Sequence, residues 1–169
     1  MGNAPSFLNR HAIDYLAANV HHRDRGASSH WQRELATFRY AHGRFDGVRG
    51  LGHQSPRAVG LRLFAHRLLQ RRYRRMGAQF PVFTGIDALA DTITARQNRL
   101  YDLSALRQTL SLSLLQHMIP KHFIEDQFTL VIGDGYGTLA SLLLGLKPAP
   151  RVILVNLTPS LLLDLFYIH

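Results

Sequence analysis

Cysteine is absent from this chain of 169 residues, and lysine occurs only at Lys121 and Lys147. Without cysteine there is no disulfide scaffold, no thiolate nucleophile and no thiolate-bound metal. No apolar segment reaches the roughly 20 residues that a membrane-spanning helix needs, and the first residues lack the apolar block of a secretory signal. Together with 46% hydrophobic residues, these absences predict a cytoplasmic protein with enough apolar material for a core and no membrane span.

Histidine is plentiful, with ten residues, but it forms no recognised metal motif. There is no H-E-x-x-H sequence, and the nearest clusters are His21 with His22 and His117 with His122. Because a metal site needs three or four converging ligands, we expect surface or structural histidines and no metal.

Positive charge is carried by arginine, and the formal net charge is +9. One predicted helix, from Ser55 to Gly77, carries Arg62, Arg67, Arg71, Arg72, Arg74 and Arg75. Such a helix could bind a nucleotide-linked sugar, an acidic polysaccharide or nucleic acid through bidentate contacts. Basic faces without a specific ligand are common, so we favour a solvated helix face.

The first two thirds of the chain lack strand alternation and indicate helices. They are predicted at 9–20, at 55–77, from Thr84 with Asp87 as a capping box, and from Asp102 or Ser104 to Pro120. The apolar side chains expected to be buried are Leu61, Phe64, Ala65, Leu68, Leu69 and Met76, then Ile86, Leu89, Ala90 and Ile93, then Leu106, Leu110, Leu114 and Met118. The last three helices are expected to form an antiparallel bundle, and residues 41–55 a loop rich in glycine.

A strand, a glycine-rich turn and a helix follow the predicted bundle. Apolar residues 128–132 predict a strand, Gly133-Asp134-Gly135-Tyr136-Gly137 the turn, and 139–144 a helix that ends near Gly145. Residues 151–157 predict a second strand. This order is the start of a βαβ unit, in which a crossover helix joins parallel strands.

The spacing of the glycines favours one class of ligand. The sequence is G-x-G-x-G, whereas the dinucleotide fingerprint is G-x-G-x-x-G, and Thr138 occupies its last position. The shorter spacing favours S-adenosylmethionine, whose carboxylate would meet free N–H groups at the helix start. Glycine at 133 and 135 would permit a sharp turn and close approach of a ligand. The alternative is a tight turn without a ligand, since context must confirm such a motif.

Asn156 lies at the carboxyl end of the second predicted strand. Nucleotide-binding α/β domains place a polar side chain there to hold ribose hydroxyls, usually an acidic one. Asparagine can accept one hydrogen bond and donate another. An equally weighted interpretation is that Asn156 only turns the chain before Thr158-Pro159-Ser160.

These residues carry a resemblance to a known family. The chain resembles the sugar O-methyltransferases found with polysaccharide-biosynthesis functions, over roughly residues 85 to 169. The matching segments are 133–140, 152–158 and 161–165, with the helical stretch 96–103 and Leu106-Arg107 upstream. One departure is Val131, where most methyltransferases carry an acidic residue, so Asp134 is expected to be the only carboxylate near the methionine end.

The resemblance implies methyl transfer from S-adenosylmethionine to a hydroxyl of a sugar, nucleotide-sugar or polysaccharide acceptor. The implied cofactor-binding residues are Gly133, Asp134, Gly135, Tyr136, Gly137 and Asn156. Tyr136 is expected to pack its ring against a helix. The general base, which would take the hydroxyl proton, is not assigned.

The expected fold class is α/β, with a helical region at 1–120 and a Rossmann-like cofactor domain that begins at 121–169. A doubly wound nucleotide domain needs about five or more parallel strands, and only two are predicted. The helix expected at 160–168, with Pro159 in its first turn, has no predicted packing partner. We therefore expect a truncated fragment that is inactive alone.

Two other functional classes remain open. A methyltransferase acting on RNA or DNA would explain the arginine-rich helix, and its affinity for nucleic acid would fall steeply with ionic strength. A basic helical interaction module for nucleic acid or protein would make the βαβ piece incidental.

Overall fold

The computed structural model describes residues 10–20, 27–41, 44–46, 59–122 and 127–168. Within these ranges the fold is mixed α/β and mostly helical, as broadly expected. Every helix in them is too short or too polar to cross a lipid bilayer.

The order of elements is as follows. The helices are α1 (Arg10–Asn19), α2 (Ser29–Glu34), α3 (Gly60–Gly77), α4 (Phe83–Arg96), α5 (Leu103–Met118), α6 (Thr138–Gly145) and α7 (Thr158–Ile168), with a 3-10 turn at Pro120–His122. The strands are β1 (Arg39–Ala41), β2 (Arg44–Asp46), β3 (Phe128–Ile132) and β4 (Arg151–Val155).

The chain divides into two compact units that interleave along the sequence. The loop unit comprises Met1–His53, Ile132–Gly137 and Leu154–His169, and the helical unit comprises Gln54–Val131 and Thr138–Ile153. Each unit is a group of contacting residues, and the domain boundary predicted between residues 120 and 121 stays a prediction.

The loop unit has an apolar cluster that joins its first and last helices. Leu162 of α7 is fully buried with Val20 and Phe38. The half-buried side chains Ile13, Leu16, Ala17 and Tyr40 surround them. The expectation that α7 has no packing partner is therefore wrong, because α1 supplies an apolar face at the i, i+3, i+4 spacing of a helix.

The helical unit is built from α3, α4, α5 and α6. Asp102 caps α5 by accepting a hydrogen bond from the N–H of Ala105 at 2.9 Å. Leu106, Leu112 and Leu142 are among its fully buried side chains. The turn between α3 and α4 is tight, because the ring of Phe83 lies where a Cβ of Gly77 would be.

The predicted strand, helix and strand around the glycines are all present. The N–H of Arg151 donates to the carbonyl of Gln127 at 2.8 Å, and the N–H of Gly133 donates to Val155 at 3.0 Å. The start of β3 therefore pairs with the start of β4, and the end of β3 with the end of β4, which is the pattern of parallel strands. The second strand ends at Val155, two residues before its predicted end.

Several expectations from the sequence need correction. Residues 44–46 are not loop but pair antiparallel with residues 39–41, Tyr40 lying opposite Phe45; these strands are too short to give an alternation signal. Residues 42–43 and 47–55 of the predicted loop, and residues 55–58 of the predicted helix, lie outside the described residues. Helix α2 was not predicted, although Ser28 caps it.

The predicted capping box is also wrong. Helix α4 begins after Val82, without a side-chain cap, and Asp87 instead binds partners on α3 and before α5. A capping box needs its acidic side chain to reach back to the helix start. The side chain of Asp87 instead forms an ion pair with Arg74 of α3.

The apolar faces of α3 and α5 are not placed as expected. The residues of α3 that are buried are Gln70 and Gly77, while Phe64, Leu68 and the rest of its predicted core side are exposed. On α5, Leu114 and Met118 are exposed. Polar contacts rather than the apolar stripe orient α3, since the Nε2 of Gln70 donates to the carbonyl of Tyr101 at 2.6 Å.

Candidate functional site

The candidate site is the glycine loop, Gly133–Gly137, in the loop unit. Its three glycines have positive φ angles of 72° at Gly133, 87° at Gly135 and 61° at Gly137. Residues with a Cβ rarely adopt this left-handed region, because the Cβ approaches the following carbonyl. The expected sharp turn is present, and it requires glycine at each of these positions.

The glycines differ in what surrounds them. Around Gly133 and Gly135 the position of a Cβ is open, with nothing within 4 Å. At Gly137 a Cβ would lie 2.6 Å from the carbonyl oxygen of Asp164 and from the side chain of Ile168. The first two glycines therefore leave bare backbone accessible, whereas the third permits close packing of the loop on α7.

A buried carboxylate, Asp164 of α7, joins the predicted site residues. Its side chain is fully buried, at 0% exposure. One oxygen, Oδ1, accepts a hydrogen bond from the N–H of Gly137 at 3.0 Å, and Oδ2 accepts one from the Nδ2 of Asn156 at 2.8 Å. Asp164 thus bridges the glycine loop and the end of β4, the two places at which the site was predicted.

Asn156 uses part of its hydrogen-bonding capacity within the protein. Besides its bond to Asp164, its Oδ1 accepts from the N–H of Leu157 at 2.9 Å, a local bond typical of asparagine at turns. An amide has a second N–H and a second lone pair. Asn156 is half-buried, and both interpretations, turning the chain and holding a ribose, are compatible with this geometry.

The charge around Asp164 is negative. Burial raises the pKa of the Asp164 carboxyl to about 6, the hydrogen bonds from Asn156, Gly137 and Gly135 oppose that rise, and the carboxylate of Asp134 adds to it. Near neutral pH the loop is therefore flanked by two acidic groups, Asp134 and Asp164, and not by Asp134 alone as expected.

Tyr136 packs its ring edge-on against Tyr167 of α7, with the ring centroids 5.7 Å apart and an interplanar angle of 73°. Edge-to-face stacking of this kind is a favourable aromatic geometry. Tyr136 is thus fixed at the loop by α7, as its interpretation as a packing residue requires.

Metal-binding groups do not converge in the part of the chain that the structure describes. No set of three or more histidine, aspartate or glutamate side chains there is arranged to hold an ion. Asp134 and Asp164 bring two carboxylates to the loop, which falls short of the usual number of ligands.

Asp164 is the site residue that reasoning from the sequence missed. It lies between Leu163 and Leu165 in an apolar helix, and charged residues are almost never fully buried unless they have partners. A single acid on an apolar helical face was therefore a signal that a polar group lies opposite. The sequence could not indicate that this group is a backbone N–H of the glycine loop.

Comparison with models of protein families, with curated proteins and with solved structures finds no match to this chain.

Proposed function

We propose that the glycine loop binds S-adenosylmethionine and that the protein belongs to a Rossmann-like methyltransferase fold that transfers a methyl group to a sugar hydroxyl. The observation that carries this proposal is the loop itself. Three alternate glycines with positive φ stand between a strand and a helix, and two of them leave open space over the backbone.

Charge distinguishes this cofactor from a dinucleotide. A pyrophosphate would bring negative charge to a loop that already has Asp134 and Asp164, and like charges at short range are unfavourable. S-adenosylmethionine carries a sulfonium and an ammonium group, which these carboxylates would attract. The N–H of Gly137 is engaged by Asp164, so the cofactor's carboxylate would use other donors of the loop.

The residues that would hold the cofactor are those at the loop and at the end of β4. The backbone at Gly133 and Gly135 would lie against it, Asp134 would face its cationic end, and the remaining donor and acceptor of Asn156 would hold ribose hydroxyls. The bound cofactor supplies an activated methyl group on sulfur. Asp164 keeps Asn156 and the loop in register, and it is too buried to contact a substrate.

The sugar acceptor follows from the family resemblance of residues 85–169 and from nothing else. RNA or DNA as the acceptor would rely on the arginines of α3. These arginines stand among exposed leucine and phenylalanine side chains, which a nucleic acid backbone does not use. We therefore keep the sugar as the proposed acceptor.

The first test is calorimetric titration of the protein with S-adenosylmethionine, S-adenosylhomocysteine and NAD⁺. Gly135→Ala should weaken binding of the first two at least tenfold, because its φ of 87° is strained for alanine. Gly60→Ala is the matched control, since Gly60 also has positive φ and open space around it but lies at the start of α3.

Gly60→Ala should lower stability by a similar amount and leave cofactor affinity unchanged. Wild-type protein that is folded and binds neither methionine derivative, or that binds NAD⁺ more tightly, would overturn the proposal. Equal affinity of wild type and Gly135→Ala would remove the loop from it.

The second test measures how many protons the protein releases when it binds the cofactor. A cation bound at the loop lowers the pKa of Asp164 from about 6, so binding of S-adenosylmethionine at pH 6 should release up to about half a proton per ligand. S-adenosylhomocysteine lacks the sulfonium and should release fewer. Titration in two buffers of different ionisation enthalpy measures this release, and Asp164→Asn should abolish it.

A further inference from the structure

Helix α3 exposes an apolar stripe that the proposed methyl transfer does not use. Leu61 is 83% exposed, Phe64 64% and Leu68 56%, and they recur at three and four residues along one side of the helix. Leu69 and Met76 extend this apolar surface and are also mostly exposed. Isolated exposed apolar residues are ordinary, but a contiguous set marks an interaction surface.

The same surface is strongly positive. The stripe continues into Arg71 and Arg75, and a shallow groove along it is lined by Phe64, Leu68, Arg67, Arg71, Arg74 and Arg75 with Ala78. The 18 residues of α3 include no acid. Arg74 forms an ion pair with Asp87, and in the described part of the chain no ion pair involves the other arginines of α3.

Helix length and position suit a planar partner. Eighteen residues extend for about 27 Å along the helix axis. The opposite side of α3, at Gln70, is held to Tyr101 in the helical unit, so only the outward side is available. Arginine can lie with its aliphatic stem on an apolar surface and its guanidinium in a polar layer.

We propose that this side of α3 is a docking surface for an anionic lipid membrane. Amphipathic helices that lie in the membrane interface combine leucine and phenylalanine on one face with arginine or lysine beside them. The lipid phosphates would pair with Arg67, Arg71 and Arg75, while Leu61, Phe64 and Leu68 enter the boundary between headgroups and acyl chains. The proposal does not depend on the cofactor.

Other occupants fit the surface less well. Nucleic acid would satisfy the arginines but would leave the apolar stripe in water. A second copy of the chain would bring arginines opposite arginines, and like charges repel.

The test is co-sedimentation with vesicles of phosphatidylcholine alone and with vesicles that contain phosphatidylglycerol. Binding is expected only to the anionic vesicles. Phe64→Ser with Leu68→Ser should weaken it roughly tenfold or more, and Arg67→Gln with Arg71→Gln about fivefold per arginine. The matched control, Leu103→Ser with Arg107→Gln on exposed positions of α5, should bind as wild type does.

All variants change exposed side chains, and circular dichroism and thermal unfolding should show unchanged folding. Inorganic phosphate and glycerol phosphate, added as competitors, should not displace the protein, because they lack acyl chains. The proposal is overturned if the protein fails to sediment with anionic vesicles, or if binding survives loss of Phe64 and Leu68. It is overturned equally if a short DNA or RNA duplex binds with only the arginine variant affected, or if sedimentation velocity shows a dimer that Leu68→Ser dissolves.

Discussion

Each of the two units holds an aspartate with reduced access to water, half-buried Asp87 and fully buried Asp164, and their surroundings differ in charge. In the helical unit, Asp87 forms an ion pair with Arg74 and accepts a hydrogen bond from the hydroxyl of Tyr101 at 2.7 Å. In the loop unit, Asp164 receives hydrogen bonds from Gly137 and Asn156, both neutral. Its charged neighbour, Asp134, has the same sign and helps to raise its pKa.

This difference separates a structural polar cluster from a candidate site. Asp87, Arg74 and Tyr101 link α3, α4 and the residue before the cap of α5, and the guanidinium of Arg74 also lies 5.0 Å from the centre of the Tyr101 ring. In that cluster the charge of Asp87 is balanced by Arg74, although the Nε of Arg74 is buried and has no hydrogen-bond partner among the described residues. A buried carboxylate without a cation is costly, and such groups gather at functional sites.

The largest effect is expected from removing Arg74, the cation that pairs with Asp87. Arg74→Met should lower the free energy of unfolding by about 3 kcal/mol, because Asp87 keeps its charge and loses its ion pair. Both side chains retain some exposure, 28% and 19%, which places the loss at the lower end for buried pairs. Denaturation by urea measures it. Arg71→Met, on the exposed side of α3, is the control and should change stability by less than about 0.5 kcal/mol. Equal losses in both variants would contradict the role of the pair.

Removing the carboxylate of Asp164, which accepts two hydrogen bonds in the loop unit, should have a somewhat smaller effect. Asp164→Ala leaves the N–H of Gly137 and the amide of Asn156 without an acceptor, each of which costs about 1 to 3 kcal/mol. Loss of an unfavourable buried charge offsets part of this, so we expect about 2 kcal/mol near pH 7. Asp164→Asn keeps one acceptor oxygen without the charge, but its NH2 group meets the second of the two donors, so we expect a loss of about 1 kcal/mol. If both variants lose the same stability, the hydrogen bonds are not what Asp164 contributes.

Much of the fold followed from local patterns in the sequence. Helices α5 and α6 and strand β3 lie close to their predicted places, because an aspartate cap, a proline and glycines mark their ends. Helix α4 begins one residue before its predicted start, although the capping box that predicted it is absent. The burial of α3 and α5 was not predictable in the same way. The apolar spacing of α3 is regular, yet the contacts of Gln70 and Arg74 orient it, and those contacts join residues up to 31 positions apart.

The candidate site was predicted in part. The turn at Gly133, Gly135 and Gly137 could be recognised because glycine spacing reports positive φ, and the structure has it at all three. The hydrogen-bond partner of Gly137 could not be predicted, because Asp164 is 27 residues away in the sequence. Its pairing depends on how α7 packs on the loop. The cofactor, the acceptor and the ribose contact of Asn156 stay predictions.

The buried carboxyl of Asp164 should also give the protein a characteristic pH dependence of stability. The pKa of Asp164 is raised from 3.8 to about 6 in the folded protein, so the folded state holds a proton that the unfolded state loses. Protonation therefore contributes stability that is fully present below pH 3.8 and lost as the pH rises through about 6. Relative to Asp164→Asn, wild type should gain about 1.4 kcal/mol between pH 7 and pH 5. Urea denaturation of both proteins across this range provides the difference, and parallel profiles would contradict the shift.

The smallest effect is expected from removing the hydroxyl of Tyr101. This variant tests whether Asp87 is stabilised mainly by the charge of Arg74 or by the Tyr101 hydroxyl. Tyr101→Phe removes the hydroxyl that hydrogen-bonds Asp87 and the hydroxyl of Thr109, but it keeps the ring beneath Arg74 and leaves the ion pair in place. Thr109 keeps its hydrogen bond to the carbonyl of Ala105. We expect a loss of about 1 kcal/mol in urea denaturation, less than for Arg74→Met. Burial raises the pKa of Tyr101 above its ordinary value, so the hydroxyl stays protonated and the loss should be constant from pH 5 to about pH 9. Tyr73→Phe, at an exposed position of α3, should be neutral. A loss in Tyr101→Phe as large as in Arg74→Met would mean that the hydroxyl, and not the cation, keeps Asp87 in the helical unit.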